Sequence, residues 1–395
     1  MKNYDFNELV NRKGSACIKW DFQAADFGHD GLLPFTIADA DYPTCPSVTA
    51  ALSKGIQTGI IGYTDVDDSY YNAVINWCLV RHQWNIKKDW IVPTSGIIPG
   101  IAFVLESMTQ PEDPIVVQPP VYDPFYSAIR ATGRTIVKNE LIADENNRYT
   151  MDYAHLEECF QRGAKAFILC NPHNPIGRVW SRKELERVRK LCREYHVLLI
   201  SDEIHWDIVY APSIHTSIGT LCDENDFAVV CTSGSKTFNI AGLQTSNFII
   251  MNPDLRQTFQ DYLYGRYLFC PNTLGLIATK YAYSTGAEWV DAQLLHLKSN
   301  AEKVVAFMKA HLPFVKVTFL EGTYLMWLDF TYYHRSSGEL VTLFSEYGAA
   351  VGDGTHYSPK CDGFIRLNIA CPKAQLTGGL ECIRRAVQSL NEEDQ

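Results

Sequence analysis

No block of basic residues interrupts this 395-residue chain, and its Asp and Glu outnumber its Lys and Arg by 45 to 35, giving a net charge of −10. Nucleic acid and anionic membrane both require a basic surface, so neither is expected as a partner. Long apolar runs are missing as well, and no stretch approaches the ~20 residues needed to cross a bilayer. The opening residues, Met1 to Glu8, lack a basic region followed by an apolar core and a small-residue cleavage site, so the protein is expected in the cytoplasm. Its twelve cysteines include no C-x-x-C pair, which removes the usual signal for zinc or thiol redox chemistry. Most sit in apolar runs such as Phe167-Ile168-Leu169-Cys170 and are expected to be small buried hydrophobes, with no bound metal. Biased or repetitive segments are absent too, which argues against disorder.

What is present is the composition of an ordinary folded protein, 46% hydrophobic, 20% charged and 12% aromatic. Its length exceeds what one core sustains, so two unequal units are expected. Between about residues 90 and 250 short apolar runs alternate with helical patterns, which predicts βαβ units around a mainly parallel sheet, an α/β fold. Candidate strands are Trp90 to Pro93, Ile115 to Gln118, Ala166 to Cys170, Val197 to Ser201, Ala228 to Thr232 and Asn247 to Met251. Ser181 and Glu184 have capping-box spacing, and Leu185, Val188, Leu191, Cys192 and Tyr195 then recur on one helical face. A long helical pattern from Gly286 to Leu312 reads as a connector, giving a large unit at 47–285 and a smaller one from 1–46 and 286–395.

Ligands of such sheets bind at the carboxyl ends of the strands, so residues just past each apolar run are the candidates for chemistry. Five stand there. Pro93-Thr94-Ser95-Gly96-Ile97-Ile98-Pro99 runs from strand to helix start, where free N–H groups can cradle a phosphate. Tyr122, after Pro119-Pro120-Val121, can stack on a ring. In Asn171-Pro172-His173-Asn174-Pro175 two prolines stiffen a loop that presents the amide of Asn174. Asp202, in Ser201-Asp202-Glu203-Ile204-His205, can keep a pyridine nitrogen protonated. Lys236 stands among small hydroxyl residues in Ser233-Gly234-Ser235-Lys236-Thr237. Each alone has a plainer explanation as a turn residue, a cap or a solvated lysine.

Taken together and in this order, the five motifs resemble those of the fold-type-I pyridoxal phosphate enzymes, the class I/II aminotransferase superfamily with its aspartate-aminotransferase-like fold. The resemblance runs over essentially the whole chain. It implies pyridoxal 5′-phosphate held as a Schiff base on Lys236, with Asp202 at the pyridine nitrogen and Asn174 and His205 on the O3′ side. Ser233 and Gly96 to Ile98 would hold the phosphate, while Tyr122 would stack on the ring and share the catalytic role with Lys236 and Asp202. Ile61-Gly62-Tyr63-Thr64 matches the family segment whose tyrosine reaches the neighbouring subunit's phosphate, implying a homodimer with shared active sites. Gly363-Phe364-Ile365-Arg366-Leu367-Asn368 matches the motif whose arginine grips the substrate's α-carboxylate, here Arg366.

Within the superfamily, Ile37-Ala38-Asp39-Ala40-Asp41-Tyr42, Asp202-Glu203-Ile204-His205-Trp206-Asp207 and Ala241-Gly242-Leu243-Gln244 are similar to segments of the C–S β-lyases, the cystathionine β-lyases of the MalY/PatB type. That likeness implies Ala38 among the substrate contacts, alongside Arg366 and Asn174. It further implies β-elimination on cystathionine or a related cysteine S-conjugate, yielding pyruvate, ammonia and a thiol such as homocysteine. The alternative is an aminotransferase of the same superfamily, many of which carry arginine where this chain has Gln244. Gly352-Asp353-Gly354-Thr355-His356-Tyr357 and Lys373 depart from the branch pattern, which bears on the substrate side chain.

Overall fold

Alternation along each apolar strand produces the architecture. In Ala166–Cys170 the side chains of Ala166, Ile168 and Cys170 enter one hydrophobic core, while Phe167 and Leu169 enter another on the opposite face. A strand apolar on both sides belongs in the middle of a sheet covered on both faces. The computed structural model, which describes residues 4–269 and 271–393, has such a sheet of seven strands. Their order is Ile91–Thr94, Ser246–Ile249, Ala228–Thr232, Leu198–Asp202, Ala166–Cys170, Pro114–Val117 and Thr135–Lys138. Ser246–Ile249 runs antiparallel to both neighbours, and the adjacent pairs from Ala228–Thr232 outward are parallel.

All six expected strands are present within one residue or two of their expected bounds. Thr135–Lys138 was not expected. It lies at the sheet edge with Thr135 and Lys138 exposed, so it lacks the doubly buried apolar run that marks the central strands. The capping-box helix is Arg182–Glu194: Ser181 Oγ accepts from the Glu184 N–H, Glu184 Oε2 accepts from Ser181 N at 2.7 Å, and Leu185, Val188, Leu191 and Cys192 are buried. The long connector is Ala287–His311. Beyond it a second sheet is antiparallel, ordered Lys316–Val317, Leu325–Asp329, Phe364–Asn368, Gly352–Asp353.

The N-terminal stretch joins the two sheets. Leu33–Pro34 pairs in parallel with Ala349–Ala350, Asn368 Nδ2 donates to the carbonyls of Ile37 and Asp39, and Asn239 Nδ2 donates to those of Ala40 and Tyr42. Asp41 anchors this stretch from inside. Its buried carboxylate accepts from Arg12 Nη1 and Lys19 Nζ at 2.7 Å each, from Trp20 Nε1 at 2.9 Å and from Gln375 Nε2 at 2.8 Å. The described cysteines are free and mostly buried, and among the described residues no helix is long and apolar enough to cross a membrane.

Removing one partner of a buried ion pair leaves the other charge unpaired. Asp41→Ala leaves the buried Lys19 ammonium only its longer, 3.3 Å pair with Asp39 and removes the acceptor of Trp20 and Gln375, and is expected to destabilise the fold by about 3 kcal/mol in urea unfolding. Asp68→Ala, which breaks an exposed pair with Lys88, should leave the midpoint essentially where it was.

Candidate active site

The carboxyl ends of the central strands come into register at one rim of the sheet, with Cys170 opposite Asp202 and Asp202 opposite Cys231. Loops leaving that rim enclose a cavity of about 360 Å³ lined by Ala38, Gly96, Ile97, Ile98, Tyr122, Asn174, Asp202, His205 and Lys236, among others. Nine of the expected site residues, scattered over some two hundred positions of chain, thus meet in one space.

Lys236 follows the Ala228–Thr232 strand, and its Nζ donates to the Ala38 carbonyl at 2.7 Å. Burial, which penalises the ammonium, brings this amine down to about 8; nearby Arg366 adds to the fall, and the carboxylates of Asp39 and Asp202 only partly oppose it. Asp202 ends its strand buried, accepting from the Ile204 N–H at 3.0 Å. Burial raises its carboxyl to about 7, against the lowering effects of that bond and of Lys236. Among the described residues no side-chain cation forms an ion pair with it.

The helix Ile97–Met108 starts at Gly96, whose φ of +102° favours glycine and whose absent Cβ would lie 3.0 Å from Gln244 Oε1. No side chain caps this start, so the N–H groups of Ile97 and Ile98, which line the cavity, have no helical partner, and Pro99 has none to offer. The helix can lie close on the sheet because Gly100 meets the Phe248 ring, where a Cβ would come within 2.3 Å.

Arg366 stands on Phe364–Asn368, opposite Trp327 in the second sheet, and is buried just behind the lining. Its Nη1 donates to Asn174 Oδ1 at 3.1 Å, its Nη2 to the Thr36 carbonyl at 2.6 Å, and its Nε has no partner. The guanidinium lies over the Tyr357 ring at 4.9 Å. Buried His205 sets its ring edge-on to Tyr324, its Nδ1 unpartnered, and burial holds it well below its ordinary value as a neutral imidazole. Burial likewise lifts the Tyr122 phenol to about 12.

Three expected residues are not part of this lining: Arg366, which stands just behind it, Ser233 and Tyr63. Ser233 lies outside the lining, its hydroxyl engaged with Ser235 Oγ and the Thr245 carbonyl at 2.7 Å each, and Ser235 lines the cavity instead. Tyr63 is fully exposed on the surface, away from the chain's own cavity. Sequence reasoning also passed over Cys170, Ile204, Pro99 and Ala241 in the wall and Tyr324 behind it. Cys170 and Ile204 adjoin motifs already singled out and could have been found there; Tyr324 sits 286 residues from the Ala38 carbonyl to which it donates, with no local signal.

Free N–H groups at a helix start, a buried carboxylate lacking a cation and a lysine amine near neutrality fit pyridoxal 5′-phosphate at its phosphate, its ring nitrogen and its aldehyde. Sheet and rim together define an α/β protein of the aspartate-aminotransferase fold. The chain belongs to the aminotransferase class I and II family, whose model matches residues 30–383. It is 37% identical to cystathionine β-lyase PatB of Bacillus subtilis (strain 168), covering 97% of this chain and 100% of that protein. Protein MalY of Escherichia coli (strain K12) is 33% identical, with 98% and 100% covered. The crystal structure of cystalysin from Treponema denticola, which contains a pyridoxal 5′-phosphate cofactor, superposes with a TM-score of 0.94 at 31% identity, covering 98% of this chain and 100% of that one.

Only the neutral amine attacks an aldehyde, so capture of pyridoxal phosphate by cofactor-free protein should quicken as pH rises, with its midpoint at about 8, and level off above that. An ordinary lysine would keep gaining to about 10.4. Absorbance recorded after mixing over pH 6 to 10 reads the midpoint, and a midpoint near 10 would contradict the buried setting of Lys236.

Proposed function

We propose that the protein is a pyridoxal 5′-phosphate-dependent C–S β-lyase that cleaves cystathionine or a related cysteine S-conjugate to pyruvate, ammonia and a thiol. The observation that carries it is that Lys236, its amine brought down to about 8 by burial, and buried Asp202 line one cavity. The full-length likeness to a cystathionine β-lyase favours elimination over the aminotransferase alternative.

When bound, the cofactor supplies an aldehyde for Lys236 and a ring that accepts the electrons released at the substrate's Cα. The chain's own residues do the rest. Arg366 binds the α-carboxylate through its guanidinium, with Asn174 orienting that fork. Lys236 Nζ would take the Cα proton, with the thiolate leaving from Cβ. Asp202 would hold a proton at the ring nitrogen with its buried carboxylate. Gly96, Ile97 and Ile98 would hold the phosphate with backbone N–H groups, and Ser233 would act there through Ser235. Of the other residues lining the cavity, Tyr122 would cover the ring, Asn174 and His205 would serve its oxygen, and Ala38 would border the substrate.

The working form is a homodimer with shared active sites. Ile60, Ile61 and Tyr63 expose apolar surface beside one another, as do Tyr264 and Tyr267, and such patches mark contact surfaces. Tyr63 then reaches the partner's phosphate site. The catalytic rim belongs to a large unit at 47–285, the carboxylate clamp to a small unit at 1–46 and 286–395, and the enzyme works in the cytoplasm.

Cystathionine alone should give many equivalents of pyruvate per site. Turnover that stops after one equivalent and resumes on adding a keto acid would identify an aminotransferase instead. Asp202→Asn keeps a hydrogen bond and loses the charge, and kcat should fall roughly 10²-fold or more; a near-normal kcat would remove Asp202 from the mechanism.

A further inference from the structure

Asp207 ends the Asp202-Glu203-Ile204-His205-Trp206-Asp207 segment, and nothing in the reaction above uses it. It is buried and lies outside the cavity lining. Its Oδ2 accepts from Thr237 Oγ1 at 2.7 Å, its Oδ1 from Trp77 Nε1 at 3.1 Å, and His82 Nε2 lies 2.9 Å from the same Oδ1. Trp77 and His82 both belong to the helix Asp68–His82, and the His82 ring stacks on Trp206 with centroids 3.8 Å apart and planes 10° from parallel.

A buried carboxylate with several donors is costly unless each bond is kept, and that cost fixes the geometry of its partners. Here one carboxylate ties together the loop carrying Asp202 and His205, the loop carrying Lys236, and a helix outside the sheet. Thr237 is the residue next to Lys236, fully buried, and its hydroxyl has this one bond partner among the described residues. The other known restraint on Lys236 is the Ala38 carbonyl at the end of its side chain. With Nζ held at one end and the adjacent backbone held at the other, the lysine is aimed from both sides.

We infer that Asp207, through the Thr237 hydroxyl, is a positioning residue that aims Lys236 at the cofactor aldehyde and at the substrate's Cα. The inference rests on the reading of Lys236 as the cofactor lysine. A reacting amine displaced by an ångström loses rate without loss of substrate binding, because the carboxylate clamp at Arg366 lies on a different strand.

Asp207→Asn tests this directly, but it also disturbs Trp77 and His82 and can fail to fold. Thr237→Val keeps the shape and removes only the link, and Thr237→Ser keeps the hydroxyl. Each variant is freed of cofactor and mixed with pyridoxal phosphate, capture being followed by absorbance and the attachment point located by borohydride reduction and mass spectrometry; kcat and KM for cystathionine are then measured on the loaded forms. Thr237→Val should slow both capture and kcat by roughly tenfold, with KM changed less than about twofold, and Thr237→Ser should restore most of both. Wild-type rates in Thr237→Val, or equal losses in Thr237→Val and Thr237→Ser, would overturn the inference while leaving Lys236 as the cofactor lysine. Attachment to a different lysine in the unsubstituted protein would overturn both.

Discussion

The hydrogen bond from Lys236 Nζ to the Ala38 carbonyl joins parts of the chain that share no sheet. That carbonyl accepts a second bond, from the Tyr324 hydroxyl at 2.9 Å, so the residue just before the Leu325–Asp329 strand of the second sheet and a loop of the first converge on one oxygen. The backbone around it is held in turn: Arg366 donates to Thr36 and Asn368 donates to Ile37 and Asp39. Arg12 and Lys19 pair with Asp39, keeping its carboxyl below the ordinary range although burial opposes this. If the N-terminal stretch came loose, the lysine would lose its acceptor and the cavity a wall. The buried anchor at Asp41 therefore bears on chemistry as well as on folding.

Burial also sets the balance of charge in the site. The same loss of water that weakens the Lys236 ammonium weakens the Asp202 carboxylate, moving one down to about 8 and the other up to about 7. Two groups that would be firmly ionised in water are thereby brought close to exchanging protons with substrate near neutral pH. His205 follows the same rule and stays neutral. Arg366 has an Nε still free among the described residues, which suits its guanidinium fork to an anionic ligand.

Much of this was legible in the linear sequence because parallel strands buried on both faces leave continuous apolar runs, and the residue after each run is forced to the same rim. Cys170, Asp202 and Thr232 could be placed there by counting from the ends of such runs. The edge strand Thr135–Lys138 could not, since one side of it meets solvent and its pattern resembles a loop. Likewise Ser233 and Ser235 sit two residues apart on the same loop, and only the fold decides that Ser235 faces the cavity while Ser233 bonds backward to Thr245.

The sequence by itself determined the α/β class, the helices with capping signals and the residue types that gather at the rim, because local periodicity and strand ends are encoded within a few positions of each other. Tertiary structure alone decided which partners those residues meet. The Arg366 fork on Asn174 spans 192 positions and the Lys236 contact with Ala38 spans 198, distances over which no local pattern carries information. It decided the protonation balance too, since that follows from how much water the assembled walls exclude. And it gave Asp207 its three partners, because only the packing of the Asp68–His82 helix against the sheet rim brings Trp77, His82 and Thr237 to one carboxylate.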